Sequence, residues 1–261
     1  MTALHEDGEL HLEAALELAR LTGDIALSHY RSNLVVETKP DGSPVTAADR
    51  AAETAAREWV RRRFPADGVL GEEFGAERPG ATRRWVIDPI DGTKSFVRGV
   101  PLWGSLVALC EGEQVLAGAA YFPAVAETVA AAPGTGCWWN GVRCNVSLVS
   151  SIDAAMVATT DERFTEVRSR RAGWDRVSRS AQVSRTWGDC FGYLLVATGR
   201  AEGMFDPVLS PWDAAALQPI ITEAGGVFTD WDGRETAFGG SAIATNAALA
   251  DPLRALLLDP R

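Results

Sequence analysis

Histidine is nearly missing from this chain: only His5, His11 and His29 occur in 261 residues. Chemistry placed further along must run without an imidazole base. The four cysteines, Cys110, Cys137, Cys144 and Cys190, form neither a C-x-x-C pair nor a Cys/His spacing, which excludes the usual zinc patterns. Positive charge is also short. Lys and Arg number 25 against 35 Asp and Glu, and a net charge of −10 excludes wrapping a nucleic-acid backbone, which needs clustered cations. The one basic cluster, Arg61-Arg62-Arg63, reads as a helix end whose cations face the helix dipole. No run of about 18 apolar residues exists to span a bilayer, and the segment from Met1 to Gly8 is polar and acidic. The expected location is the cytoplasm, with no membrane and no nucleic-acid partner. P-loop and G-x-G-x-x-G patterns, internal repeats and low-complexity tracts are absent too.

What is present suffices for a sizeable core, since 46% of the residues are hydrophobic. Leu12, Ala15, Leu16 and Ala19 recur at helical spacing and predict an amphipathic helix over 9–30. Two prolines around Asp-Gly in the segment 39–44 end that pattern. A second helix, from about 47 to 64, opens with a T-x-x-D capping box made by Thr46 and Asp49. Strand-like runs at 68–71, 85–87, 102–110, 115–121 and 127–132 predict helices laid on a mostly antiparallel sheet. Beyond about 146 the rhythm becomes strand 155–159, helix 192–198, strand 204–206, helix 214–224, strand 227–230 and helix 247–257. That alternation predicts an α/β lobe. One catalytic unit of two packed lobes, 1–146 and 147–261, is expected, and ligands favour such seams.

The densest chemistry lies in Trp85-Val86-Ile87-Asp88-Pro89-Ile90-Asp91-Gly92-Thr93-Lys94-Ser95-Phe96, where an apolar strand empties into two carboxylates, a glycine and a hydroxyl. A proline-stiffened turn can aim Asp88 and Asp91 at one point, and Gly92 lets backbone amides approach an oxyanion. A hard divalent cation fits such an oxygen cage. Gly71-Glu72-Glu73 closes a short strand just upstream, and Trp212-Asp213-Ala214-Ala215-Ala216 adds an acid where a helix begins. Singly, each acid has a plain reading as a helix-start, turn or solvated residue. Brought together, Glu72, Asp88, Asp91 and Asp213 would repel one another unless cations compensated them.

With D-P-I-D-G-T preceded by W-V-I, G-E-E upstream, and W-D-x-A-A followed by E-A-G-G from Glu223 to Gly226, nearly the whole chain resembles the inositol monophosphatase superfamily. The resemblance implies a layered α-β-α-β-α fold, a homodimer, and a Mg²⁺-dependent phosphatase using two to three ions. It implies that Glu72, Asp88 and the Ile90 carbonyl hold one ion, that Asp88, Asp91 and Asp213 hold a second, and that Glu72 holds a weaker third near Asp49. Asp49 and Thr93 would align the attacking water, with Glu72 also counted among the catalytic groups. Amides of Gly92 and Thr93 would bind phosphate, and Lys39 matches a family lysine placed before the second helix.

The small-molecule phosphate ester is set by other residues. Asp206 lies seven positions before Asp213, where inositol phosphatases have an acid for sugar hydroxyls, and Asp189 stands where they commonly carry a small residue. Two acids facing the leaving group favour a cationic moiety, such as the ammonium of L-histidinol phosphate, over a neutral polyol. The run Lys94 to Gly104 and Trp187-Gly188-Asp189-Cys190 also look like the histidinol-phosphatase branch. An inositol-phosphate, sugar-phosphate or nucleotide phosphatase is the alternative, and a regulatory binding protein a third. Trp103 and Trp187 read equally as core aromatics. Cys137-x5-Arg143 matches the spacing of a cysteine phosphatase, but its two tryptophans and Asn140-Gly141 read as a turn between strands. Asp230-Trp231-Asp232-Gly233 carries the D-x-D of aspartyl-phosphate enzymes and reads as a loop.

Overall fold

The computed structural model describes residues 2–32, 35–39, 44–165 and 167–259, with side chains from Gly8 onward. Most of the expected turn between Lys39 and Pro44 lies outside these residues. The first helix, α1 (Thr2–His29), starts earlier than its apolar period predicts. A hairpin of β1 (Val36–Thr38) and β2 (Pro44–Thr46) follows, then α2 (Ala47–Arg63), β3 (Gly68–Gly71), β4 (Gly75–Glu77) and β5 (Arg83–Asp91). The four-residue α3 (Thr93–Phe96) leads to β6 (Gly104–Glu111), β7 (Gln114–Phe122), β8 (Glu127–Ala132), β9 (Gly136–Trp139) and β10 (Val142–Arg143). Eight strands form one sheet in the order β10-β9-β8-β7-β6-β5-β3-β4, and only the β3–β5 pair is parallel.

The second half contains β11 (Met156–Ala158), α4 (Arg168–Ser180), β12 (Val183–Arg185), α5 (Asp189–Ala197), β13 (Gly203–Asp206), α6 (Pro211–Ala214), α7 (Leu217–Glu223), β14 (Gly226–Thr229), β15 (Ala242–Asn246) and α8 (Ala250–Leu258). The five-stranded sheet runs β12-β11-β13-β15-β14. It is mixed, because β15 enters antiparallel between β13 and β14. The helix expected over 214–224 is two pieces. Helix α4 lies where no helix is expected, since more than half its sequence is arginine and serine around a few apolar residues.

Five layers result. Helices α1 and α2 cover one face of the large sheet, burying Leu12, Leu18, Trp59, Val60 and Trp85 in one cluster. Helices α5 and α7 lie between the two sheets, with Leu194, Val196, Leu217, Ile220 and Phe228 in the largest core. Helices α4 and α8 cover the far face through Trp174, Val177, Leu253 and Leu257. Burying each such side chain contributes about 1.5–3 kcal/mol, so these interlocking faces fix the strand ends that carry the acids. Among the described residues, no helix is long and apolar enough to cross a membrane.

Candidate metal centre

The parallel register sets Gly71 opposite Ile87, so Glu72 and Asp88 emerge side by side at the ends of β3 and β5. Glu72 N–H donates to the Ile87 carbonyl at 3.3 Å. Pro89 cannot donate to the ladder, and β5 shifts register against β6 between Asp88 and Asp91. That bulge turns Asp91 back toward Asp88. The buried Asp88 accepts from Ile90 N–H at 2.9 Å through Oδ1, and Thr93 Oγ1 donates to the Ile90 carbonyl at 3.0 Å. Gly92 has φ +86°, and an added Cβ would come 2.9 Å from the Leu102 carbonyl and 3.3 Å from Asp189 Oδ2. Only glycine makes that turn without strain.

Asp213 arrives from the other half of the chain. Ser210 caps α6, and Ser210 N–H donates to Asp213 Oδ2 at 2.7 Å. One carboxylate oxygen each from Asp88, Asp91 and Asp213 lies within 4.8 Å of the others. Glu72 sits beside Asp88 but outside that trio, and Lys39 Nζ reaches Glu72 Oε1 at 2.7 Å and Glu73 Oε1 at 2.6 Å. At the start of α2 the capping box forms as expected, with Thr46 N–H and Oγ1 donating to Asp49 Oδ2 at 2.8 and 2.7 Å. Asp49 is wholly buried, and its Oδ1 has no hydrogen-bond partner among the described residues.

The electrostatics follow from this crowding. Burial, then the charges of Glu72, Asp91 and Asp213, hold the Asp88 carboxyl well above its ordinary range. Burial, then Asp189 and Asp213, do the same to Asp91. Burial lifts Asp213 to about 7 against the opposing Ser210 hydrogen bond. Burial also raises Asp49, although Thr46 pulls it back. Among the described residues none of Asp49, Asp88, Asp91 and Asp213 has a salt-bridge partner. Uncompensated acids at this spacing, all oxygen donors and with one orphaned buried oxygen nearby, fit a hard divalent cation.

Two adjoining cavities of about 150 and 170 Å³ open beside the acids and share Thr160 and Val208. One is lined by Asp91, Asp189 and Asp213, the other by Lys94, Asp161 and Asp206. Asp189 starts α5 at φ +50°, its N–H donating to Thr160 Oγ1 at 2.8 Å. Burial, then the Asp206 charge, lifts its carboxyl to about 7 while Lys94 opposes the rise. Asp206 is only 2% exposed, accepting from Thr160 N–H and Tyr193 Oη, each at 3.0 Å. With both oxygens engaged, it braces the cavity wall and does not present a bare carboxylate. Thr160, Tyr193 and Lys94 had no role in the sequence reading. A lone threonine or tyrosine carries no spacing signal, and Lys94 was hidden inside a motif read for its acids.

The other motifs resolve into structure. Cys137 and Arg143 lie on paired strands, and a hydrogen bond with Cys144 followed by burial drives the Cys137 thiol far up, which removes a thiolate nucleophile. Trp103 is core, edge-on to Phe96 at 4.9 Å between centroids, whereas Trp187 is 43% exposed. Asp230 closes an ordinary loop through Arg234 N–H at 2.8 Å. Glu223 accepts from Gly134 and Gly136 N–H, both at 2.8 Å, tying α7 to the β8–β9 turn.

This arrangement can be set beside known proteins. A histidinol-phosphatase of Chlorobaculum parvum is 43% identical over 234 residues, covering 89% of this chain and 90% of its own. A histidinol-phosphatase of Streptomyces coelicolor is 40% identical, covering 91% and 94%. The structure of an inositol monophosphatase from Zymomonas mobilis superposes with a TM-score of 0.85 at 32% identity, over 98% of each chain. The layered fold is thus that of inositol monophosphatases. The model of the inositol monophosphatase family matches residues 8–258, acid-bearing strand ends included, and the chain belongs to that family.

Proposed function

We propose that this chain is a Mg²⁺-dependent phosphomonoester hydrolase that converts L-histidinol phosphate to L-histidinol and phosphate. The convergence of the Asp88, Asp91 and Asp213 carboxylates within 4.8 Å carries the reaction class. Glu72, Asp88 and the Ile90 carbonyl would hold one ion, and Asp88, Asp91 and Asp213 a second, with Glu72 lending a weaker third site near Asp49. When bound, Mg²⁺ neutralises phosphoryl charge and makes water more acidic. The chain itself supplies positioning. Thr93 Oγ1 spends its proton on the Ile90 carbonyl, so its lone pairs face outward as acceptors for the attacking water. Asp49 Oδ1, without a hydrogen-bond partner among the described residues, is a second acceptor for that water. First-turn amides of a helix have no intrahelical acceptor, so those of Gly92 and Thr93 are available to phosphate oxygens.

The lining of the two cavities supports a cationic leaving group. Beside the proposed metal-site acids Asp91 and Asp213, the lining carries Asp189 and Asp206 against Lys94, while Asp161 is paired with Arg163 at 3.0 Å. Asp189 is the partner for the histidinol ammonium, and Asp206 adds its charge from behind Thr160. Lys39, in contact with Glu72 and Glu73, tempers the acids on the opposite side. The similarity to two histidinol-phosphatases points the same way. Four free, buried cysteines suit a cytoplasmic enzyme, and the homodimer implied by the family is tested by light scattering. Phosphate release from histidinol phosphate and from inositol 1-phosphate, with and without Mg²⁺, tests the reading. A strong preference for inositol 1-phosphate would overturn the substrate and favour the broader phosphatase.

A further inference from the structure

Glu53 lies in the interior of α2 with no accessible surface, an expensive place for a carboxylate. Arg57, one turn on, donates to its Oε1 from Nε at 2.9 Å and from Nη2 at 2.7 Å. The same carboxylate reaches across to the chain that follows β3. Its Oε2 accepts from Glu73 N–H at 2.7 Å, and its Oε1 from Phe74 N–H at 3.2 Å. Arg57 closes the loop by donating to the Gly75 carbonyl at 2.5 Å and to Glu77 at 3.4 Å. Gly71 leaves room for this approach, because a Cβ there would sit 2.1 Å from Glu53 Oε1. The residue between Gly71 and Glu73 is Glu72.

We infer that the buried Glu53–Arg57 pair is a positioning device that splints the Gly71–Gly75 turn and thereby fixes where Glu72 stands beside Asp88. The inference rests on the proposal that Glu72 holds a metal ion. Neither Glu53 nor Arg57 touches substrate or the reacting atoms; both act through backbone groups of the turn. Such outer partners of a ligand set its aim, and losing one weakens metal affinity by about 10–100-fold. A buried ion pair is weak as a source of stability, so its place here is better explained by the backbone it positions.

The test is calorimetric titration of the full chain with MgCl₂, comparing wild type, Glu72→Gln and Glu53→Gln, with circular dichroism to establish folding. Glu53→Gln keeps the shape but removes the charge and turns an N–H toward donors. Folded Glu53→Gln should bind Mg²⁺ at least about tenfold more weakly, with kcat recovering toward wild type at saturating Mg²⁺. Affinity within twofold of wild type would overturn the inference. Should Glu53→Gln fail to fold, Gly71→Ala takes its place, since its methyl group displaces the carboxylate while leaving the charge; unchanged affinity there overturns the inference equally. A wild-type protein that binds no Mg²⁺ would sink the metal reading along with the inference. Wild-type binding that Glu72→Gln weakens and Glu53→Gln does not would sink the inference alone.

Discussion

The backbone N–H of Cys190 donates to Asp91 Oδ2 across 99 positions of chain, hooking the first turn of α5 onto the end of β5. Asp91 thus does two things: one oxygen ties the start of α5 to the end of β5, and the carboxylate completes the trio with Asp88 and Asp213. Asp91→Asn keeps an oxygen for the Cys190 hydrogen bond but lowers the negative charge of the cluster. The variant should fold, with a melting temperature near that of wild type, while kcat falls by about 10²–10³-fold, because the cation that Asp91 helps to hold is what would stabilise developing negative charge. Parallel melting curves and phosphate-release assays check this. Near-wild-type activity would show that Asp91 does not serve the metal site.

In the proposed function Asp189 partners the leaving group. Its φ of +50° is a conformation that asparagine tolerates better than alanine does, so Asp189→Asn isolates the charge without straining the start of α5. A charged hydrogen bond contributes about 1.5–3 kcal/mol. Loss of that charge should therefore lower kcat/KM for histidinol phosphate roughly 10- to 100-fold, chiefly through KM. Turnover of inositol 1-phosphate, which has no ammonium, should change little. Equal losses on both substrates would place Asp189 in the metal site and not in substrate choice.

Much of this site was legible in the sequence because its acids sit at strand ends or helix starts, where short motifs fix local geometry. Asp88 and Asp91 could be joined through Pro89, and the Thr46–Asp49 box was readable from a spacing of three. The convergence of Asp213 was legible only through the family resemblance and not from local spacing, because it depends on packing between distant elements. Asp206, expected to face the leaving group, accepts from Thr160 N–H and Tyr193 Oη, partners that no spacing in the sequence revealed. Helix α4 and strand β15 escaped notice because an arginine-rich amphipathic stretch and a short alanine-rich strand give weak periodic signals. The mixed second sheet, expected to be of the α/β kind, follows from that missed strand.

Gly118 marks a close approach between the central helix layer and the large sheet. It lies on β7, and an added Cβ would stand 2.2 Å from the Ala216 carbonyl and 2.9 Å from Pro219. Backbone cannot swing aside as a long side chain can, so Gly118→Ala must push the start of α7 away from the sheet. Overpacking of this kind costs about 1–3 kcal/mol, which corresponds to a drop in melting temperature of roughly 2–12 °C for a chain of this size. The displacement also passes to Asp213, only a few residues before α7. Activity should therefore fall more than the fraction unfolded at the assay temperature explains, a comparison that thermal denaturation and phosphate release make together.

Metal removal should expose the cost of the acid cluster, with a definite pH sign. Folding raises the carboxyls of Asp189 and Asp213 to about 7 and that of Asp206 to about 6, in each case first through burial. A carboxyl whose folded pKa exceeds its unfolded value binds more protons in the folded state. Its contribution is fully present below the unfolded pKa, near 4, and is lost as pH rises through the folded value. Chelated protein should therefore lose melting temperature progressively from about pH 4 to pH 7. In the proposed site Mg²⁺ would take over from the proton on Asp213 as the source of compensating charge, so its addition should raise the melting temperature more at pH 8 than at pH 5. Differential scanning calorimetry in EDTA and in excess MgCl₂ across that range checks both slopes. A chelated protein as stable at pH 8 as at pH 5 would mean that the carboxylates tolerate one another unaided, and the electrostatic case for a cation among them would fall.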